Sequence, residues 1–293
     1  MEKNIKAHLL VILATFLVAG SFLASAKLSG IIDPISLTLL RFILASLFLA
    51  PIIFFKKDYR LKLKMVFKKA MIISLFYSLY FIGLFKALES TTALNTGTLF
   101  TLTPLITGFF AIFILKQKMN INQFIIYLIG IIGTCIVVFK ADLQLFLNFS
   151  LNSGDIIFLF AIISMSLYSI STKYLYKEGD KIIVLTFMTL IGGCIWMGLA
   201  LGIMGVELQW QEIKGELLIY MLYLVIGATL ITVYLYQQAA IDLGPKKLMA
   251  YVYLNPAAVA ILLYILEGLS ISFGVIFGII ISSMATIILL LKD

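Results

Sequence analysis

Four carboxamides and a set of tyrosines are the side chains in this sequence with most to offer a small molecule. Asn95, Gln237, Gln238 and Asn255 each carry donors and an acceptor on one short arm, within strongly apolar surroundings. Tyr77, Tyr168, Tyr234 and Tyr251 set a hydroxyl at the tip of an aromatic ring. Such groups hold a solute by hydrogen bonds and ring faces, which is recognition chemistry. The sequence has no glycine-rich phosphate loop, no metal-ligand spacing and no nucleophile elbow. His8, the single histidine, reads as an interfacial residue, and Cys135 and Cys194 as small apolar packing residues. No cofactor, no metal and no enzymatic step is expected.

The chain around these groups is a membrane chain. Of its 293 residues, 62% are hydrophobic and 12% charged, whereas a soluble domain carries roughly 25% charged residues. A helix needs about 20 apolar residues to cross the hydrocarbon core. Ten segments qualify, near residues 7–28, 35–55, 70–88, 92–115, 121–140, 154–174, 182–204, 217–240, 246–266 and 271–291. The expected fold is therefore an all-α integral membrane protein. Its connections are short, so recognition takes place within the bilayer or at its faces.

Charge sets the orientation. With residue 1 on the cytoplasmic side, seventeen of the twenty-two Lys and Arg residues fall there. They are Lys3, Lys6, the seven of "KKDYRLKLKMVFKK", Lys116, Lys118, Lys173, Lys177, Lys181, Lys246, Lys247 and Lys292. Lys27, Lys86, Lys140 and Lys214 fall opposite, and Arg41 lies within a span. Positive residues in short loops face the cytoplasm, so a multi-pass protein of the cell (inner) membrane with both termini cytoplasmic is expected. The net charge of +8 is then a topology signal, and nucleic acid is not an expected partner. Lys3, Lys6, the apolar run and "ASA" at 24–26 also fit a secretory signal peptide. That run is longer than a usual signal core, and the nine helices left would scramble the charge alternation.

A repeat runs through the chain. "FKALESTTALNTGTLFTLTP" places Pro104 seventeen residues after Ala87, and "QQAAIDLGPKKLMAYVYLNP" places Pro256 seventeen after Ala239. The expected units are residues 1–141 and 154–293, five helices each. An odd helix count makes the second copy enter the membrane from the opposite side. Inverted repeats of this kind recur in transporters, with the site near the midplane where the halves meet. The ten helices, "SLTLLRF" opening helix 2, Ala-Leu then Pro across helices 3–4, and "GD" at 154–155 resemble the drug/metabolite transporter superfamily, EamA type. Lys116-Gln117 stands where that family usually has Gly-Glu, and Glu267 lies closer to its Pro than is usual. The resemblance implies a central cavity and export or exchange of small metabolites, often amino acids.

Residues at i, i+3, i+4 and i+7 share a helix face. Helix 8 then shows a stripe of Tyr220, Tyr223, Gly227, Ile231, Tyr234 and Gln238. Helix 3 offers Ser74, Tyr77 and Phe81, helix 6 Ser164, Tyr168 and Ser171, helix 1 Ser21 and Ser25, and helix 9 Tyr251 and Asn255. Helix 4 has Thr91, Asn95 and Thr98 on one side and Thr92, Thr96, Thr103 and Thr107 on another. The substrate-lining set expected is Ser21, Ser25, Tyr77, Phe81, Asn95, Thr98, Tyr168, Ser171, Tyr234, Gln237, Gln238, Tyr251 and Asn255. The competing reading is packing: membrane Ser and Thr bond their own or neighbouring helices, and Tyr near a helix end anchors at the interface. Pro104 and Pro256 should kink their helices and free the carbonyls of Phe100 and Val252. Arg41, followed by Phe42 as is common in the family, has two readings: an ion pair with Asp33 or Asp155, or capture of a substrate carboxylate. Ser270, Gly274, Gly278 and Ser282 form a small-residue ridge on helix 10, a packing surface within the bundle or toward a second copy, and Gly198 and Gly202 repeat it on helix 7.

The function expected is a secondary transporter of a small organic metabolite, an amino acid or similar, working by alternating access. Proton-coupled efflux of organic cations on the tyrosine faces is the alternative, although no carboxylate lies near the middle of a helix. A channel would need a continuous polar pore.

Overall fold

The computed structural model describes residues 2–28, 30–91 and 93–291. Thr92, Lys292 and the side chain of Lys3, all used above, lie outside the described residues. Ten helices are long and apolar enough to cross a membrane: spans 1 (Ile5–Leu28), 2 (Pro34–Phe55), 3 (Lys57–Leu88), 4 (Asn95–Ile114), 5 (Ile121–Val138), 6 (Ser153–Leu175), 7 (Ile182–Met204), 8 (Leu217–Asp242), 9 (Pro245–Glu267) and 10 (Phe273–Leu291). The spans match expectation within a few residues, except that span 3 starts at Lys57 and not near residue 70. Its lysine-rich first turns are an amphipathic helix, with Val66 and Ala70 buried and the cations outward. Lys69 pairs with Asp180 at 2.5 Å and Lys62 donates to the Gly179 carbonyl, so this extension docks on the turn between spans 6 and 7.

The principal packing partners form a regular scheme. Span 3 packs on spans 6 and 7, span 8 on spans 1 and 2, span 2 on span 7, span 5 on span 10, span 4 on span 6 and span 9 on span 1. Exchanging spans 1–5 with spans 6–10 leaves this scheme unchanged. Glycines admit the closest approaches: a Cβ on Gly130 would lie 2.5 Å from the Tyr253 ring, and one on Gly193 would lie 2.7 Å from the Phe42 ring. The span 10 ridge is filled from inside the chain, since a Cβ on Gly278 would lie 2.9 Å from the Gly133 carbonyl of span 5. Helix 10 therefore spends that ridge on span 5, and a second copy would need another surface. Gly198 and Gly202 behave differently: a Cβ at either meets nothing within 4 Å, so they are not a packing ridge within the chain.

The spans carrying Pro104 and Pro256 are broken, whereas span 2 stays one helix through Pro51. Span 4 comprises helices Ala93–Phe100 and Thr103–Ile114, with tight turns between them from Thr101 N–H to Thr98 and from Leu102 N–H to Leu99. Span 9 runs as Pro245–Ala250, a 3-10 stretch Tyr251–Leu254, and Asn255–Glu267. Each proline removes a donor, and each freed carbonyl is met locally. Phe100 accepts from the Thr103 hydroxyl at 2.7 Å, and Val252 accepts from the backbone N–H of Asn255. Span 8 carries a third irregularity, a π-helical segment over Ile226–Ile231.

Candidate functional site

Both breaks border one cavity of about 780 Å³. Gly97, Phe100 and Thr101 of span 4 face Val252, Asn255 and Pro256 of span 9 across it. Thr134 and Val138 of span 5 and Val275 of span 10 complete the wall, with Lys140, Ser270 and Ser272 toward one end and Phe22 of span 1 at the side. The wall is mainly hydrocarbon, and Asn255 is the carboxamide among its polar residues. This residue is only 5% exposed, yet neither Nδ2 nor Oδ1 has a hydrogen-bond partner. A buried polar group left unmet costs about 1–3 kcal/mol. A solute's polar atoms in the cavity would remove that penalty.

A second polar group lies where spans 2 and 3 meet spans 6 and 8. Arg41 is 7% exposed and its guanidinium makes one hydrogen bond, from Nε–H to the Thr229 hydroxyl at 3.0 Å. The cation sits 5.9 Å from the centre of the Phe81 ring, a favourable cation–π placement. Tyr77 stacks between Phe42 and Tyr168, with ring centres 5.7 and 4.6 Å away, and meets Phe81 edge-on at 5.0 Å. The Tyr168 hydroxyl is buried and has no partner.

Neither expected ion pair to Arg41 forms. Asp33 caps span 2 through the backbone N–H groups of Ile35 (2.7 Å) and Ser36. Asp155 caps span 6 and accepts from the Thr91 hydroxyl, from Asn95 Nδ2 at 2.8 Å and from the Asn152 N–H at 2.7 Å. Both carboxylates were free to be drawn to helix N-termini, where backbone donors are unmet.

The other expected lining residues scatter. Asn95 belongs to the Asp155 cap and also donates to the Ser150 carbonyl at 2.9 Å. Gln237 is fully buried against span 7, accepting from Thr186 and donating to Thr189, both at 2.8 Å. It joins the two helices and is not in the wall of the 780 Å³ cavity. Gln238 donates to Asp242 one turn on. Tyr251 bonds His8 Nδ1 at 2.8 Å, joining spans 9 and 1. Ser21 and Ser171 bond the carbonyls of Val18 and Tyr168 in their own helices, while Ser25 is half-buried in span 1. Thr98 is half-buried, and its carbonyl accepts from Thr101 at the break. Tyr77, Phe81 and Tyr168, expected to line the substrate path, form a packed aromatic group beside Arg41 and are not in the wall of the 780 Å³ cavity.

The span 8 stripe is corrected by the π segment. One extra residue per turn rotates everything after it by roughly a quarter turn relative to an unbroken α-helix. Tyr234 and Gln238 are thereby left half-buried, while Thr229, Tyr236 and Gln237 turn inward. Tyr236, Thr229 and Tyr253 escape an analysis based on a period of 3.6. Gly130, which admits the Tyr253 ring, is the visible trace of one of them.

Ten spans, two broken helices on one cavity and an unmet amide in its wall define a membrane carrier. The chain belongs to the EamA-like transporter family, whose model matches it twice, over residues 5–139 and 152–291. It is 26% identical over 117 residues to the "Uncharacterized transporter YyaM" of Bacillus subtilis (strain 168), a match spanning 40% of this chain and 37% of that protein. A solved crystal structure superposes with a TM-score of 0.77 at 18% identity, covering 98% of this chain and 97% of its own. At that identity the likeness concerns the fold.

Proposed function

We propose that this transporter moves a small organic metabolite, an amino acid or a solute like it, across the cytoplasmic membrane by alternating access. Units 1–141 and 154–293 would be inverted copies that rock about the 780 Å³ cavity, with both termini in the cytoplasm. The observation that carries the reading is Asn255, a buried amide with no partner, in the wall of a cavity flanked by both proline breaks. Irregular backbone at depth is tolerated where it lines a cavity, and broken helices are where transporters place solute sites. The exchange symmetry of the packing scheme supports the inverted arrangement. Proton-coupled cation efflux is less well supported, because the buried Asp155 is committed to three donors of a helix cap.

The test is counterflow in proteoliposomes against a panel of amino acids and organic cations, with and without a pH gradient. Counterflow of an amino acid, abolished or at least tenfold weaker in Asn255→Ala, supports the proposal. Movement of cations alone, or full transport and affinity in Asn255→Ala, overturns it.

A further inference from the structure

Among the described residues no anion meets Arg41. An arginine in a membrane span costs about 2.5–3.5 kcal/mol on insertion scales and is normally paired. Lys62 with Asp58, Lys69 with Asp180 and Lys86 with Glu89 are ion pairs elsewhere in the chain, and none of them involves Arg41. Asp33 and Asp155, the acids expected at Arg41, are held in their caps.

We infer that Arg41 is the docking point for a carboxylate carried by the transported solute, which makes small organic acids and amino acids the substrate class. This rests on the transport reading above and narrows it. Three features fit. The Nε–H bond to Thr229 and the Phe81 face fix the guanidinium plane while using only one of its donors. The remaining fork matches the two oxygens of a carboxylate. The Tyr168 hydroxyl, in a residue 1% exposed and without a partner, is a second buried donor one stacked ring away, across Tyr77. Thr229 itself lies in the π segment of span 8, the kind of local distortion found at functional sites. Phe42 and Tyr77 are buried against one another, so of these rings only the half-buried Phe81 offers an apolar face to a solute. Spans 2 and 3 come from one matched unit and spans 6 and 8 from the other, so a solute held here would bridge the two.

The experiment is ligand protection of the purified protein in detergent, read as the melting temperature from tryptophan fluorescence. The probes are benzoate, its uncharged analogue benzamide, and chloride at matched concentration. A ligand that binds only the folded state raises the melting temperature in a saturable way. Benzoate is expected to protect, with benzamide and chloride ineffective. Arg41→Gln should weaken apparent benzoate affinity at least tenfold. Arg41→Lys, which keeps the charge and loses the fork, should weaken it severalfold, as should Tyr168→Phe. If Arg41→Gln does not fold, the latter two carry the test. Equal protection by benzamide or by chloride overturns the assignment, and so does unchanged benzoate affinity in Arg41→Lys and Tyr168→Phe. Counterflow separates this inference from the cavity proposal. Loss in Asn255→Ala with full transport in Arg41→Lys overturns the role of Arg41 alone, and the reverse pattern overturns the cavity alone.

Discussion

Two buried asparagines of this chain have opposite surroundings. Asn95, 8% exposed, donates to Asp155 and to the Ser150 carbonyl, within the knot that caps span 6. Asn255, 5% exposed, faces a cavity and has no partner on either amide atom. In the sequence they are alike: an amide in an apolar span ahead of a proline, nine residues before Pro104 and one before Pro256. The difference is made by what another helix brings up to each. Span 6 delivers a carboxylate to Asn95, whereas no polar group of the described residues reaches the buried amide of Asn255. A satisfied polar group fixes structure; an unmet one beside a cavity is stored demand for a ligand.

The comparison is broken or sharpened most strongly at Asp155. Replacing it with Ala leaves the Thr91 hydroxyl, the Asn95 amide and the Asn152 N–H without their acceptor. The expected loss is about 3–5 kcal/mol of stability, at roughly 1–3 kcal/mol for each unmet group and with partial relaxation. A loss below about 1 kcal/mol, measured by reversible unfolding in mixed micelles, would mean that the knot is wet and the contrast false. The amides themselves come next. Asn95→Leu should destabilise by about 1–3 kcal/mol, while Asn255→Leu should be neutral or stabilise by about 1 kcal/mol and abolish counterflow. Equal losses at the two positions would show that Asn255 has a partner in the folded state.

Gln237 gives a smaller effect of the Asn95 kind. Its two bonds to Thr186 and Thr189 join spans 8 and 7, and interhelical hydrogen bonds in membranes average about 0.6 kcal/mol with a maximum near 1.7. Gln237→Leu should therefore cost about 1 kcal/mol in the same unfolding measurement and leave solute affinity in counterflow unchanged. A changed affinity would restore Gln237 to the solute path, where the sequence suggested it.

The ten spans were legible because hydrocarbon permits few residue types over about 20 positions. The breaks in spans 4 and 9 were legible because Pro104 and Pro256 cannot donate. The start of span 3 was not, because a lysine-rich amphipathic helix such as residues 57–69 reads like a loop in hydropathy. The site was legible only in part. Arg41, Tyr77, Phe81, Tyr168 and Asn255 stood out as polar or aromatic residues at depth, but partners are three-dimensional facts. Asp155 could have gone to Arg41 and went to a helix N-terminus. The helix 8 stripe failed for a local reason, since a π turn at Ile226–Ile231 has no composition mark and exchanges Tyr236 for Tyr234.

The smallest effect extends the comparison from polar to small residues. Gly278 and Gly198 belong to the same four-residue pattern of small side chains, yet span 5 fills the space at Gly278 and nothing lies within 4 Å of a Cβ at Gly198. Alanine at Gly278 would press on the Gly133 carbonyl at 2.9 Å, a backbone atom that cannot swing aside, and this change belongs in size with the amide substitutions. Alanine at Gly198 meets no atom of the chain, so stability should move by less than about 0.5 kcal/mol, as at other open positions. A loss above about 1 kcal/mol for Gly198→Ala, appearing only as protein concentration in the micelle rises, would place a second copy of the chain against span 7. That surface would then join the exposed outer face of span 10, with Phe273, Phe277 and Met284, as a place to seek a dimer of this protein.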